Sequence, residues 1–196
     1  MARARSIAAG CVLAVACLAS LAVRAEPVIP NAADRVQFGF LRGSKWYVPA
    51  QTLPAIEMNL ANGKVSGVVD QTVWDITGYR YGYFWGRTAA VFTRQAAGVP
   101  NSQLSCASML GSVTPDGRVY ITFTPQGQKT TLGAVRGIGT LTRSASGWQF
   151  EMQMSTGTTS VIAHWSYMAQ CRPGQACEAK LPGSDLSLAQ FLAQCD

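Results

Sequence analysis

The densest cluster of side chains able to bind a ligand in this sequence is aromatic. Between Thr72 and Arg94 the chain reads TVWDITGYRYGYFWGRTAAVFTR, with aromatic residues at alternate positions followed by a cation: Tyr79, Tyr81, Tyr83, Trp85 and Arg87. Successive side chains of an extended chain point to opposite faces, so the spacing predicts one aromatic face on a continuous strand. Aromatic faces suit sugars, flat apolar molecules and peptide side chains. These five residues are therefore the predicted ligand-binding residues.

The opposite face of the same stretch is apolar as well, since Phe84, Ala90 and Phe92 fall on it. A strand that is apolar on both faces is either covered on both sides or has one face in the core and the other against a ligand or partner. Two interpretations of this stretch stay open: a central core strand, or a wall of a binding site with one face on the core and the other on the ligand.

Residues suited to catalysis are sparse. His164 is the single histidine, which excludes any site that needs two, and a lone histidine between apolar neighbours on a strand is interpreted as structural. No G-x-S-x-G pattern nominates a serine nucleophile, although a Ser-His-Asp group assembled in space stays open. Asp70 and Asp75 flank Trp74 and form a weak candidate for a pair of acids. The sequence therefore favours a non-enzymatic protein without a cofactor, with a hydrolase as the remaining alternative.

The first 25 residues have the features of a secretory signal peptide. Arg3 and Arg5 supply positive charge, an apolar stretch follows over residues 7–23, and the segment closes on the small residue Ala25. A spanning helix needs about 20 apolar residues, more than this Ala-rich run offers. We expect cleavage after Ala25, no transmembrane segment in the mature form, and a periplasmic or secreted protein. The alternative is a lipoprotein anchored to the membrane through Cys17.

The predicted mature chain, residues 26–196, has the length of one domain with a sizeable core. Cleavage removes three arginines, Arg3, Arg5 and Arg24, and no acid, so the formal net charge falls from +6 to +3. Nucleic-acid binding requires a basic face or run. No such run exists in this sequence, and the chain is not expected to bind nucleic acid.

Four cysteines remain after the leader: Cys106, Cys171, Cys177 and Cys195. An even number in an exported chain predicts two disulfides, and the lack of a CxxC pair makes a zinc site a poor interpretation. Linking Cys171 to Cys177 would close a short loop, which restricts the unfolded chain less than a long one does. The spacing favours Cys106 with Cys171 and Cys177 with Cys195. The alternative links Cys171 to Cys177 and Cys106 to Cys195.

The remaining chain has the pattern of short antiparallel strands joined by tight turns. Asn62-Gly63 and Pro115-Asp116-Gly117 lie between alternating segments and predict hairpin turns, and residues 144–147 predict another. In the strand expected over Ser160–Cys171, Val161, Trp165 and Tyr167 share one face. At the end of the chain, an amphipathic helix is expected from about Asp185 to Gln194, capped by Ser184 or Asp185.

Local connections and long strands interrupted by glycine predict an all-β fold. We expect an antiparallel, up-and-down β-barrel with a short C-terminal α-helix, and a β-sandwich is the alternative. The arrangement resembles calycin barrels in architecture only, because no motif of the lipocalins or avidins stands at a matching position. Barrel mouths are common ligand sites.

The sequence therefore predicts a non-enzymatic, exported barrel that binds a small apolar or aromatic molecule, or a sugar, on its aromatic wall. The alternative is a structural or protein-interaction role, such as an accessory or inhibitor protein whose exposed aromatic patch docks a protein partner.

Overall fold

The structure, a computed structural model, describes residues 37–49, 55–94, 101–127, 134–157 and 160–196. The predicted signal peptide and Cys17 lie outside these ranges, and so does the side chain of His164. Strands account for most of the described chain. In chain order they are β1 (Ser44–Tyr47), β2 (Ala55–Asn59), β3 (Val65–Arg80), β4 (Tyr83–Arg94), β5 (Asn101–Val113), β6 (Arg118–Pro125), β7 (Val135–Ser144), β8 (Gly147–Gly157) and β9 (Ser160–Cys171).

The strands of the described ranges close into an antiparallel barrel with eight strand positions. From β3 to β9, each strand pairs with the next one in the sequence. β1 and β2 both lie between β3 and β9, at different heights along them, and are two halves of one interrupted strand. The predicted up-and-down barrel is confirmed, and its closure excludes the sandwich alternative.

One end of the barrel interior is filled with aromatic side chains. Phe150 lies at their centre, with ring centroids 4.5 Å from Trp46, 5.2 Å from Trp74 and 6.0 Å from Phe84. All four are buried. Edge-on contacts of this kind add stability beyond the burial of area. Phe150, Met152 and Met154 alternate along β8, and all three belong to this core.

A short 3₁₀ helix, Gly39–Leu41, covers the same end of the barrel. Phe38 and Phe40 pack on Trp148 at centroid distances of 5.9 and 4.9 Å, and Leu41 is fully buried. The N-terminal part of the described chain therefore forms a lid of apolar side chains over the aromatic core.

The side chain of Gln71 joins three backbone segments where β1 ends. Its amide nitrogen donates to the carbonyl oxygens of Val48 (3.1 Å) and Pro182 (2.7 Å), and its amide oxygen accepts from the backbone N–H groups of Val48 (3.2 Å) and Thr72 (2.9 Å). Only 4% of Gln71 is exposed. One buried amide thus joins β3, the end of β1 and the C-terminal segment.

The C-terminal segment packs on the outside of the barrel. It carries two short helices, α1 (Ala176–Ala179) and α2 (Leu188–Ala193). Phe191 of α2 belongs to one buried cluster with Val73 of β3 and Ala89 of β4. These barrel residues point outwards and would be exposed if the segment were removed.

Helix α2 begins later than the sequence predicted. The hydroxyl of Ser187 accepts from the backbone N–H of Gln190, and the Gln190 side chain accepts from the backbone N–H of Ser187. This capping box satisfies two N–H groups at the helix start. The predicted cap at Ser184 or Asp185 is therefore wrong by two or three residues.

Two disulfides hold the C-terminal segment, with the pairing that the sequence placed second. Cys106 bonds to Cys195 and Cys171 bonds to Cys177. The favoured pairing is wrong because β5 and β9 are not neighbours in the sheet, and Cys106 lies within β5 opposite Ala89, on the row that the C-terminal segment covers. No helix in the described ranges is long and apolar enough to cross a membrane.

Candidate functional site

The aromatic stretch that dominates the sequence folds as a hairpin and not as one strand. β3 ends at Arg80 and β4 begins at Tyr83, with Tyr81 and Gly82 between them at φ angles of 53° and 82°. Positive φ at both central residues is what a tight two-residue hairpin turn requires. The predicted single face carrying all four aromatic residues is therefore wrong.

The hairpin separates the first two predicted residues from the others. Tyr79 lies opposite Phe84, packs against the barrel core, and has the pKa of its hydroxyl raised by burial. Tyr81 lies in the turn, where the guanidinium carbon of Arg80 is 4.8 Å from its ring centroid. Neither shares a face with Trp85.

The other three predicted residues share the outer face of β4. Tyr83 is 59% exposed and Trp85 is 43% exposed. The indole of Trp85 lies across Gly78, where a Cβ atom would be 2.1 Å from the ring. Arg87 is engaged, because its guanidinium pairs with Asp75 at 3.5 Å and with Asp196 at the chain end. Arg87 therefore ties the C-terminus to the barrel.

Large apolar side chains continue this outer face around the barrel. We call six of them, each between 43% and 59% exposed, the outer belt: Tyr83, Trp85, Leu110, Tyr120, Ile138 and Trp165. Trp85 lies directly opposite Leu110, and Tyr120 lies directly opposite Ile138. Side chains directly opposite each other in a sheet have Cβ atoms about 5 Å apart. Leu110 is also diagonal to Tyr120 across β5 and β6, whereas Gln153 lies between Ile138 and Trp165. The belt therefore contains two directly opposed apolar pairs, and Trp165 is one strand further from them.

Four belt residues were not among the predicted site residues, yet the sequence contains a signal for them. Tyr120 stands between Val119 and Ile121, which point inwards and are buried. Trp165 lies on the face of β9 that was predicted to carry Val161 and Tyr167 as well, and this face points outwards. In each case the strand has buried apolar residues on one face and an apolar residue on the opposite, solvent-exposed face. That position distinguishes the belt residue from the core residues.

A surface groove runs along the belt where β6 to β9 lie side by side. It has two adjoining parts of about 620 and 540 Å³, and both are lined by Ile138, Gln153 and Trp165. The rings of Trp165 and Tyr167 are nearly parallel, with an interplanar angle of 23°. We call this depression the outer groove.

The barrel interior offers much less room. A cavity of about 40 Å³ lies beside the aromatic core, with Trp74 and Phe123 in its apolar lining. Four residues with hydroxyl groups also line it: Thr72, Thr88, Ser105 and Ser166. Pockets for small-molecule ligands are typically about 300–1,000 Å³. The cavity has room for a water molecule and not for a ligand of that size.

A buried ion pair lies on the inward face near the β4–β5 end of the barrel. Arg94 donates to both carboxylate oxygens of Glu57, at 2.6 and 2.8 Å, and to Gln103 at 3.0 Å. The hydrogen bond to Glu57 raises the pKa of Arg94. The side chain of Glu57 is 9% exposed and that of Arg94 is 29% exposed, so the pair is largely withdrawn from water.

Replacing Glu57 by glutamine should destabilise the protein by about 2 kcal/mol. Loss of one partner of a buried pair costs about 3–5 kcal/mol because the other charge is left unpaired, and the partial exposure of Arg94 reduces this cost. Urea denaturation measures the effect. The double variant Glu57→Leu/Arg94→Met should lie closer to the wild type than Glu57→Gln does; a double variant with the larger loss would contradict this account of the pair.

The predicted pair of acids is not brought together. Asp70 accepts a hydrogen bond from the Thr72 hydroxyl at 3.0 Å, whereas Asp75 pairs with Arg87 on the outer face. Their odd spacing in β3 places them on opposite faces of the strand. Within the described ranges, no group of three or more His, Cys, Asp or Glu residues is arranged to hold a metal ion.

Comparisons with known proteins do not assign this chain to a family. No protein-family model, no curated protein and no solved structure matches the chain.

Proposed function

We propose that this chain is an exported, non-enzymatic binding protein that contacts its ligand through the outer belt and not through the barrel interior. The observation that carries the proposal is the contrast between the two surfaces. Aromatic side chains fill one end of the interior, and the cavity beside them is only about 40 Å³. Six large apolar side chains stand exposed outside, four of them as directly opposed pairs.

Burial of apolar side chains is the main source of folding free energy, and a contiguous apolar patch left in water forgoes that gain. Such patches mark binding surfaces on soluble proteins. The nearby side chains of Tyr47, Val73 and Ala89 are covered by the C-terminal segment. The same barrel therefore covers one apolar outer row with its own chain and leaves the belt open.

The two disulfides support export, since such bonds persist in oxidising compartments. Together with the signal-like leader, they support a periplasmic or secreted location, with the lipoprotein anchored through Cys17 as the alternative. A ligand in either place belongs to the cell envelope or to the surroundings of the cell.

Polar substitution within the belt should remove binding without unfolding the protein. The test is co-sedimentation of the purified mature protein with envelope material from its own host. Tyr120→Ser/Ile138→Ser should lower the bound fraction at least about tenfold, while exposed positions of this kind cost only about 0.5 kcal/mol each in stability. Val65→Ser, at a residue that is 53% exposed and outside the belt, is the matched control. Equal sedimentation of all three proteins would refute the proposal.

A protein partner is the second candidate, and the exposed aliphatic side chains of Leu110 and Ile138 favour it. Apolar side chains without hydrogen-bonding groups suit the core of a protein interface. Protease treatment of the envelope material before sedimentation separates the two candidates, because only a protein partner is destroyed.

A further inference from the structure

The outer groove differs in chemistry from the rest of the belt. On β4 and β5 the belt is formed by Tyr83, Trp85 and Leu110, whereas the groove alternates apolar and hydrogen-bonding side chains. Gln153 lies between Ile138 and Trp165 in the sheet register, and Thr140 and Glu151 line the same depression. The groove therefore offers rings and polar groups side by side.

Trp165, the aromatic side chain that lines the groove, packs against Tyr167 beside the groove. Trp165 and Tyr167 lie two residues apart on the same face of β9, with ring centroids 6.4 Å apart. The Tyr167 hydroxyl donates to Glu151 at 3.1 Å, and this hydrogen bond raises the pKa of Tyr167. Contact with a restrained neighbour limits the freedom of Trp165, so the indole has less side-chain entropy to lose when a flat ligand binds it.

The groove is balanced in charge. Arg118 at one end pairs with Asp116 at 3.0 Å. The negative charge of Glu151 is matched in number by the exposed Arg136, which lies directly opposite the groove residue Ser155. A strongly anionic or cationic ligand would meet no excess of opposite charge. The ligand that fits is neutral and carries both an apolar face and many hydroxyl groups.

We propose that the outer groove binds a neutral glycan chain. The apolar C–H face of a sugar ring stacks on Trp165, and its hydroxyl groups exchange hydrogen bonds with Gln153, Thr140 and Glu151, which supply both donors and acceptors. The cores of protein–protein interfaces are depleted of charged residues, whereas this groove has Glu151 within it and Arg118 at its end. The chemistry of the groove thus favours a glycan over a protein. This inference rests on the proposed use of the outer belt.

The length of the groove suits a chain and not a single sugar. The two parts share Ile138, Gln153 and Trp165 and together extend from Val119 of β6 to Ile56 of β2. These strands occupy five consecutive positions in the barrel. With a strand spacing of about 4.8 Å, the groove crosses roughly 19 Å of sheet.

The test is isothermal titration calorimetry of the disulfide-bonded mature protein with three neutral hexasaccharides: chitohexaose, cellohexaose and maltohexaose. At least one of them should bind the wild type. Trp165→Ala should weaken that binding roughly tenfold, which corresponds to about 1.4 kcal/mol, and Gln153→Ala should weaken it less. Trp165→Phe should retain part of the affinity because it keeps a flat ring. Leu60→Ala, at an exposed residue outside the belt and groove, should bind as the wild type does.

Two results overturn the glycan assignment: no hexasaccharide binds, or Trp165→Ala binds as tightly as the wild type. The proposed function survives either result if the wild type still co-sediments with envelope material and Tyr120→Ser/Ile138→Ser does not. Protease-sensitive sedimentation without hexasaccharide binding assigns the belt to a protein partner, which also overturns the glycan. If, in addition, the wild type and Tyr120→Ser/Ile138→Ser co-sediment equally with envelope material, the proposed function is refuted too.

Discussion

Removing the Cys106–Cys195 disulfide should destabilise the protein by about 4 kcal/mol. The bond joins residues 89 apart in sequence, and a cross-link that closes a long loop restricts the unfolded chain most. The Cys171–Cys177 bond spans only 6 residues and should contribute about 2 kcal/mol on the same basis. Domains are typically stable by only about 5–15 kcal/mol, so loss of the longer cross-link is a large part of the total.

The two disulfides are matched controls for each other in this experiment. Urea denaturation of Cys106→Ala/Cys195→Ala and of Cys171→Ala/Cys177→Ala, both exported, gives the two losses. The first variant should also be cleaved by protease near its C-terminus, because α2 has only about six residues and is too short to be stable away from the barrel. Equal losses in the two variants would refute the loop-length argument.

Replacing Gln71 by leucine should cost about 3 kcal/mol. The side chain is buried and bonds to the backbone of Val48, Thr72 and Pro182. Leucine has a similar size but removes the side-chain partner of these backbone groups, at about 1–3 kcal/mol for each group left unsatisfied. The Val48 N–H keeps a second hydrogen bond to the Thr72 carbonyl at 3.2 Å. The loss should appear in urea denaturation as a lower midpoint, because the end of β1 and the C-terminal segment lose the amide that joins them.

Gln153→Leu is the matched control, since Gln153 is an exposed glutamine in the middle of β8. Its stability should change by less than about 0.5 kcal/mol. A Gln71→Leu variant as stable as Gln153→Leu would show that the end of β1 and the C-terminal segment are held on β3 without the amide.

The sequence predicts the barrel well because strand alternation and turn type depend only on residues that are close together in the sequence. β9 has the predicted bounds, Ser160–Cys171, and Gly63 and Gly117 have positive φ in the predicted turns. The main local error, the Tyr81-Gly82 turn, has a physical reason. A tyrosine with positive φ is rare, so the aromatic alternation on both sides of it reads as one unbroken strand.

The site was harder to predict because it depends on which strands become neighbours. Leu110 and Tyr120 lie on separate strands, and only the register of β5 with β6 places them near each other. The disulfide pairing has the same origin, since Cys106 meets Cys195 only when the C-terminal segment crosses the outside of the barrel. Alternation assigns a residue to one face of its strand, but it does not say which residues of other strands lie next to it in the sheet.

The most direct test of binding through the belt compares a belt variant with a variant that fills the interior. Ala107 lines the interior cavity, and Ala107→Val would occupy much of its volume, at a cost of about 1–3 kcal/mol if the core is overpacked. Co-sedimentation with host envelope material is measured for Ala107→Val and for Tyr120→Ser/Ile138→Ser, with folding of each checked by urea denaturation. Ala107→Val should sediment as the wild type does, and the belt variant should stay in solution. Loss of sedimentation by Ala107→Val with full retention by the belt variant would contradict the account and place the ligand inside the barrel.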